Sequence, residues 1–148
     1  MLIYSSTTSH KLDTKGRVSV PASYRNLAEQ VTEARAFFIT FSLKRKCLVG
    51  YDTREVSRIR EKFEAASDAS PELQELDDDQ ELFFGLGAYL EFDKNGRINL
   101  PLELRELAEI DDECVFVGRG GFFEIRAPQM HKRIRDAAIA RKLAGKGA

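Results

Sequence analysis

Asp13-Thr14-Lys15-Gly16-Arg17-Val18-Ser19-Val20-Pro21-Ala22-Ser23-Tyr24-Arg25 returns eighty residues later as Asp93-Lys94-Asn95-Gly96-Arg97-Ile98-Asn99-Leu100-Pro101-Leu102-Glu103-Leu104-Arg105. Five positions are identical, and the pairs Leu12/Phe92, Val18/Ile98 and Val20/Leu100 keep an apolar residue. Each copy is trailed by an aliphatic and aromatic run (37–40; 115–117), a basic or glycine break, a second apolar run (47–51; 122–125) and a helix-like segment. Self-similarity on this scale is the signature of a duplicated unit. A half of about seventy residues buries too little surface to offset its chain entropy, so the two halves are expected to fold around one core.

Within each copy the local signals are those of strand, turn, strand, short helix, strand, strand. Residues 10–13 and 17–20 read as strands around the Lys15-Gly16 turn, and 89–93 with 97–100 around Asn95-Gly96. Asn-Gly favours a type I′ hairpin, because both residues tolerate positive φ; in Lys-Gly the glycine supplies most of that tolerance. Val18 and Val20, like Ile98 and Leu100, alternate with polar residues, so one face of each strand is buried. Pro21 and Pro101 end the strands and open short helices with Tyr24 and Leu27, or Leu104 and Leu107, on their apolar sides.

Between the copies lies a helical insert. Asp52 caps a first helix with Glu55 three residues on and Val56, Ile59 and Phe63 on one face. Residues 67–70 break it, and Ser70-Pro71 restarts a second helix with Leu73, Leu76 and Phe83 inward. A C-terminal helix begins near Pro128 with Met130, Ile134 and Ala138 as its stripe, and residues 144–148 read as disordered. The expected organisation is a first repeat over 1–51, a helical insert over 52–84, a second repeat over 85–126, and a C-terminal helix with a basic tail over 127–148. Together they form one compact α+β fold.

A net charge of −1 conceals strong segregation. Residues 61–81 hold nine carboxylates against Lys62, whereas 10–25 hold Lys11, Lys15, Arg17 and Arg25 against Asp13. From His131 onward, Lys132, Arg133, Arg135, Arg141, Lys142 and Lys146 oppose only Asp136. A molecule with a basic side and an acidic side orients towards a polyanion, because attraction and repulsion favour the same pose. The acidic run also reads simply as a solvated helix surface.

The repeated turn is where chemistry concentrates. Arginine offers a planar fork of donors that grips phosphate or guanine bidentately, and the glycine beside it lets a backbone come close to a bulky partner. Arg17 and Arg97 are therefore the expected DNA-contacting residues, with Lys15, Lys94 and Asn95 at the turn tips. Asp13 and Asp93 are acceptors that orient the arginines or stabilise the turns, and Gly16 and Gly96 permit the geometry. Arg25 and Arg105, on the helices, are open to either DNA contact or internal salt bridges. Strands and ribbons enter the major groove, where Arg and Lys read guanine and Asn reads adenine. A second reading uses the same Asp and Arg residues only for ion pairs between the subunits of a structural ring.

Other chemistries find little foothold. No nucleophile stands with a nearby histidine, no phosphate-cradling glycine loop follows a strand, and Asp77-Asp78-Asp79 diverge around a helix, so an enzyme is not expected and no cofactor or small-molecule substrate is implied. His10 and His131 are far apart and no Cys-x-x-Cys spacing exists, so no metal site is expected. Cys47 and Cys114 are open to disulfide formation, with buried free thiols favoured in a reducing compartment. No apolar run approaches a bilayer span and no signal-peptide pattern opens the chain, so a cytoplasmic protein with no membrane partner is expected.

The doubled Asp-x-x-Gly-Arg-[Val/Ile]-x-[Val/Leu]-Pro-x-x-x-Arg motif, its spacing and the helix after each second strand pair resemble the MraZ family, within the AbrB-like, swapped-hairpin group of DNA-binding barrels. The resemblance runs from about Leu2 to Ile139. It implies two pseudo-symmetric swapped-hairpin β-barrel halves in one chain, with a helical hairpin insert and a C-terminal helix. It implies a nucleoid-associated transcriptional repressor of the division and cell-wall gene cluster, bound to direct repeats in its promoter. It also implies a homo-oligomer closed into a ring. The family's Asp-x-x-x-Arg signature falls on Asp13 and Arg17 and on Asp93 and Arg97; Lys15 matches its basic turn residue, where the second copy has Asn95.

Overall fold

The computed structural model describes residues 2–145. Eight strands and five helices occur among them, in the order β1 (Thr7–Lys11), β2 (Arg17–Ser19), α1 (Ala22–Thr32), β3 (Ala36–Ser42), β4 (Cys47–Tyr51), α2 (Thr53–Ala69), α3 (Gln74–Leu86), β5 (Ala88–Glu91), β6 (Arg97–Asn99), α4 (Leu102–Leu107), β7 (Glu113–Gly118), β8 (Phe123–Arg126) and α5 (Pro128–Gly145). The class is α+β, as the segment pattern predicts.

Each motif forms a turn, but the strands leaving it do not fold back on their own half. β1 pairs with β7, from the other copy, in the register Thr7↔Val117 to Lys11↔Glu113. β5 pairs with β3 in the same crossed fashion. β2 and β6 pair with each other, Arg17↔Asn99, Val18↔Ile98 and Ser19↔Arg97. The simple β1–β2 and β5–β6 hairpins expected from the sequence are thus replaced by pairings between halves. Residues 12–16 and 92–96 carry the chain out of the large sheet into a separate ribbon, so neighbouring strands in sequence diverge.

The large sheet is six-stranded and antiparallel, ordered β1-β7-β8-β4-β3-β5. β1 and β5 are its edges and do not pair with each other. Two closed barrel halves are therefore not what the chain forms: one open sheet draws strands from both copies, and the two-stranded β2-β6 ribbon closes over its core. Val18, Val20, Ile98 and Leu100, each at most 1% exposed, belong to the same cluster as Phe37, Phe116 and Phe123. At the centre, Phe123 packs edge-on against Phe37 at 4.9 Å between ring centroids and lies 5.0 Å from Tyr24. Gly50 makes room for it, since a Cβ there would overlap the Phe123 ring.

The helices follow their sequence signals with local differences. Asp52 caps α2, its Oδ1 accepting from Glu55 N at 3.0 Å, while Oδ2 accepts from the Tyr4 hydroxyl at 2.8 Å and from Arg54 at 3.2 Å. α1 is longer than the short helix expected, and α3 begins at Gln74 rather than at Pro71, leaving Leu73 exposed before it. Leu107 is also exposed, because the short α4 ends there and only Leu104 turns inward. α5 continues through Ala144 and Gly145, where disorder was expected; residues 146–148 lie outside the described residues. Cys47 and Cys114 are buried free thiols, and burial pushes both up to about 12.

Because Phe123 binds aromatic rings from both copies, Phe123→Ala is expected to destabilise the chain by about 3–5 kcal/mol. Denaturant unfolding followed by fluorescence and circular dichroism should still show one coincident transition. Two separate transitions would contradict a shared core.

Candidate nucleic-acid interface

Asp13 organises its turn with both carboxylate oxygens. Oδ1 accepts from the backbone N–H groups of Lys15 and Arg17, each at 2.9 Å, and Oδ2 accepts from Arg17 Nε at 2.6 Å. Backbone bonds from Gly16 N to Asp13 O and from Asp13 N to Arg17 O close the loop. Asp93 repeats the pattern: Oδ1 accepts from Asn95 N at 2.8 Å and Arg97 N at 3.0 Å, and Oδ2 from Arg97 Nε at 3.3 Å. Donation from the Arg17 backbone N–H, helped by its side chain and by Lys15 N–H, holds the Asp13 carboxyl down at about 2; the same contacts lower Asp93.

Neither turn is the two-residue type I′ form. Only Gly16 (φ +84°) and Gly96 (φ +78°) take positive φ, so Lys15 and Asn95 stay in ordinary backbone regions and a left-handed glycine follows the turn. This is the three-residue loop class, selected here because the aspartate caps the loop amides.

The guanidiniums are held at one edge only. Among the described residues, Arg17 and Arg97 bond the protein through Nε, which leaves both terminal nitrogens of each fork without a protein partner. Their side chains are 37% and 32% exposed. The ribbon register sets Arg17, Ser19, Arg97 and Asn99 on the face opposite buried Val18 and Ile98. Lys15, Lys94 and Asn95 are exposed at the tips, one turn at each end of the ribbon. All the side chains expected at the site are thus carried by one ribbon and its two turns. Ser19 and Asn99 join them through the strand alternation, a signal the sequence carries but which the motif comparison passed over.

Arg25 and Arg105 do not form the internal salt bridges left open for them. Arg25 Nε donates to Val20 O at 3.1 Å and Arg105 Nε to Leu100 O at 2.9 Å, and neither forms an ion pair within 4.0 Å among the described residues. Each guanidinium lies over the turn glycine of the other half. A Cβ on Gly16 would stand 2.8 Å from Arg105, and one on Gly96 2.5 Å from Arg25. Nothing in the one-dimensional pattern points to that crossed contact.

A second charged cluster serves the fold. Glu124, 1% exposed, accepts from Arg126 at 2.7 Å and Arg119 at 2.6 Å and pairs with Arg45, whose Nε lies 2.8 Å away and whose terminal nitrogen donates at 3.4 Å, tying β8 to the turns on either side. No group of His, Cys, Asp and Glu among the described residues is arranged to hold a metal ion, and no described helix is long and apolar enough to cross a membrane.

The profile of the family described as "MraZ protein, putative antitoxin-like" matches residues 3–79 and 83–145. The chain belongs to the MraZ family. Among MraZ relatives, the transcriptional regulator MraZ of Rickettsia bellii is 35% identical over 144 residues, covering 97% of this chain and 91% of that protein. The Rickettsia canadensis protein of that name is 32% identical over 139 residues, 93% of this chain and 90% of its own length. That of Xanthomonas oryzae pv. oryzae is 29% identical over 138 residues, with 93% and 91% covered.

Ionisation of the turn aspartate is directly measurable. Because its folded value is depressed, the Asp13 carboxylate keeps its bonds above the ordinary 3.8 and loses them only as pH falls towards about 2. A carbon-detected NMR titration is expected to place its midpoint near 2, and a midpoint at the ordinary value would exclude the cap. Gly96→Ala should lose about 1–3 kcal/mol of stability in denaturant titration, since alanine resists positive φ and meets Arg25.

Proposed function

We propose that this protein is a sequence-specific, double-stranded DNA-binding transcriptional regulator that docks the β2-β6 ribbon and its two Asp-x-x-Gly-Arg turns onto the duplex. The observation that carries this is the pair of arginine forks, each fixed by an aspartate at Nε and open at its other edge. A B-form major groove admits a two-stranded ribbon, and a fixed guanidinium presents two parallel donors to guanine or phosphate with little side-chain entropy left to lose. Lys15, Arg17, Lys94, Asn95 and Arg97 are the contacting residues in this reading. Asp13, Gly16, Asp93 and Gly96 position them. Ser19 and Asn99 add polar contacts from the same face.

Membership of a family whose relatives carry the name transcriptional regulator supports the regulatory role. The resemblance further favours repression of the division and cell-wall gene cluster from repeated promoter sites, in the cytoplasm at the nucleoid. Crossed pairing of β1, β2, β5 and β6 between the copies supports the AbrB-like, swapped-hairpin reading of the fold.

Charge placement supports a ring of copies. Lys44, Arg45, Lys46, Arg133 and Arg141 line a groove between the β3–β4 turn and α5 with no carboxylate among its walls, while α3 exposes Glu75, Asp77, Asp78, Asp79 and Glu81. Surfaces that differ on one chain and complement each other between chains give head-to-tail contacts, which close into rings when the rotation permits. Repeated DNA sites about 34 Å apart would then meet successive ribbons. The rival reading, in which the motif only joins subunits by ion pairs, needs the aspartates free for a neighbour. Asp13 and Asp93 already spend both oxygens within their own turns.

Binding to the DNA just upstream of the protein's own reading frame tests the proposal. Arg17→Ala and Arg97→Ala are each expected to weaken operator binding by ~1–3 kcal/mol, and log affinity should fall by about 0.9 per contacted phosphate for each decade of salt. A double variant that binds as the parent does would remove the ribbon from the interface. Light scattering on the same samples reads the assembly state.

A further inference from the structure

Arg35 and Asp112 occupy matching places in the two halves. Arg35 directly precedes β3 and Asp112 directly precedes β7. Each gives its carbonyl to the residue before the other half's turn aspartate: Phe92 N donates to Arg35 O and Leu12 N to Asp112 O, both at 2.9 Å. At this shared position the charge is reversed.

Beside the second turn, the Arg35 guanidinium sits 5.0 Å over the Phe92 ring, reaches Asp93 O at 3.5 Å and pairs with Glu29 at 2.5 Å. The small hollow there, about 440 Å³, is lined by one cation, Arg35, and one carboxylate, Glu91. Beside the first turn, Asp112 joins Glu106, Glu109 and Asp111 around a hollow of about 770 Å³ whose wall includes Asp13 and Thr14. Arg105 is the one cation in that wall, and it is turned towards Gly16 and the Leu100 carbonyl. Charges act over a Debye length of about 8 Å, so carboxylates that line the same hollow as Asp13 and Thr14 oppose a phosphate at that turn.

We infer that the two ends of the ribbon are unequal towards a polyanion: the Lys94-Asn95 turn, backed by Arg35, is the stronger phosphate-binding end, and the Lys15 turn is held back by the acidic hollow around Asp112. A pseudo-symmetric ribbon thereby acquires a direction on its ligand. The tips alone do not rank the two ends, since each carries one lysine, Thr14-Lys15 in the first copy and Lys94-Asn95 in the second. The inference rests on the nucleic-acid reading above and deepens it by ranking its two contact points.

Four variants of the full chain, Lys15→Ala, Lys94→Ala, Asp112→Asn and Arg35→Gln, are compared for affinity to a short mixed-sequence duplex at low salt and for the salt needed to elute them from heparin. Circular dichroism confirms folding. Lys94→Ala is expected to weaken both at least about threefold more than Lys15→Ala, and Asp112→Asn to tighten both by about two- to fivefold. Arg35→Gln should weaken them. An equal or larger loss from Lys15→Ala overturns the ranking, as does an Asp112→Asn chain that binds like the parent. If the heparin order holds while no duplex is bound, the ranking stands and the DNA reading falls; if duplex binds without that order, the reverse is true.

Discussion

Everything in this molecule depends on three residue pairs, Arg17↔Asn99, Val18↔Ile98 and Ser19↔Arg97. A three-residue strand has too few hydrogen bonds to persist alone. What fixes the ribbon is that Val18 and Ile98 point into a core built by both copies, with Val20 and Leu100 continuing the seal. One face is thereby committed to the interior, and alternation commits the other face to four polar side chains. The pairing that joins the halves is also the pairing that presents the surface.

The turns at the ribbon's ends are stiff for a reason that is local and for one that is not. Locally, a single carboxylate caps two amides and one guanidinium edge, so the loop and the arginine are oriented by the same group. Non-locally, the arginine of the opposite helix covers the left-handed glycine and bonds the carbonyl that precedes its own proline. Arg25 therefore supports the second turn and Arg105 the first. An arginine fixed through Nε still keeps the edge that recognises paired acceptors. Binding through such an edge loses less conformational freedom than binding through a floppy side chain.

The recurring motif supplies two such turns, and their surroundings differ. Glu106 stands where Asn26 does, Asp111 where Ala34 does and Asp112 where Arg35 does, so the first turn faces an acidic hollow and the second a guanidinium. The remaining charge is also separated along the chain, with an acidic α2–α3 insert and a basic groove beside α5. A near-neutral chain thus keeps strong local fields. Such fields steer encounter and orientation, which total charge does not report.

The sequence by itself determined the recurrence of the motif, the α+β class, the buried alternation of Val18, Val20, Ile98 and Leu100, the Asp52 cap and the residues of the two turns. Those features are written in short windows, where periodicity, capping and turn chemistry act over a few residues. Only the tertiary structure decided which strands pair: the expected hairpins gave way to crossed pairings, and the expected barrels to one open sheet with a ribbon over it. The similar copies offer comparable edges to either half, so local propensity cannot choose between them. Arg25 over Gly96 and Arg105 over Gly16 were hidden for the same reason. They are contacts across some seventy to ninety residues of chain, created when burying one shared core brought the copies together.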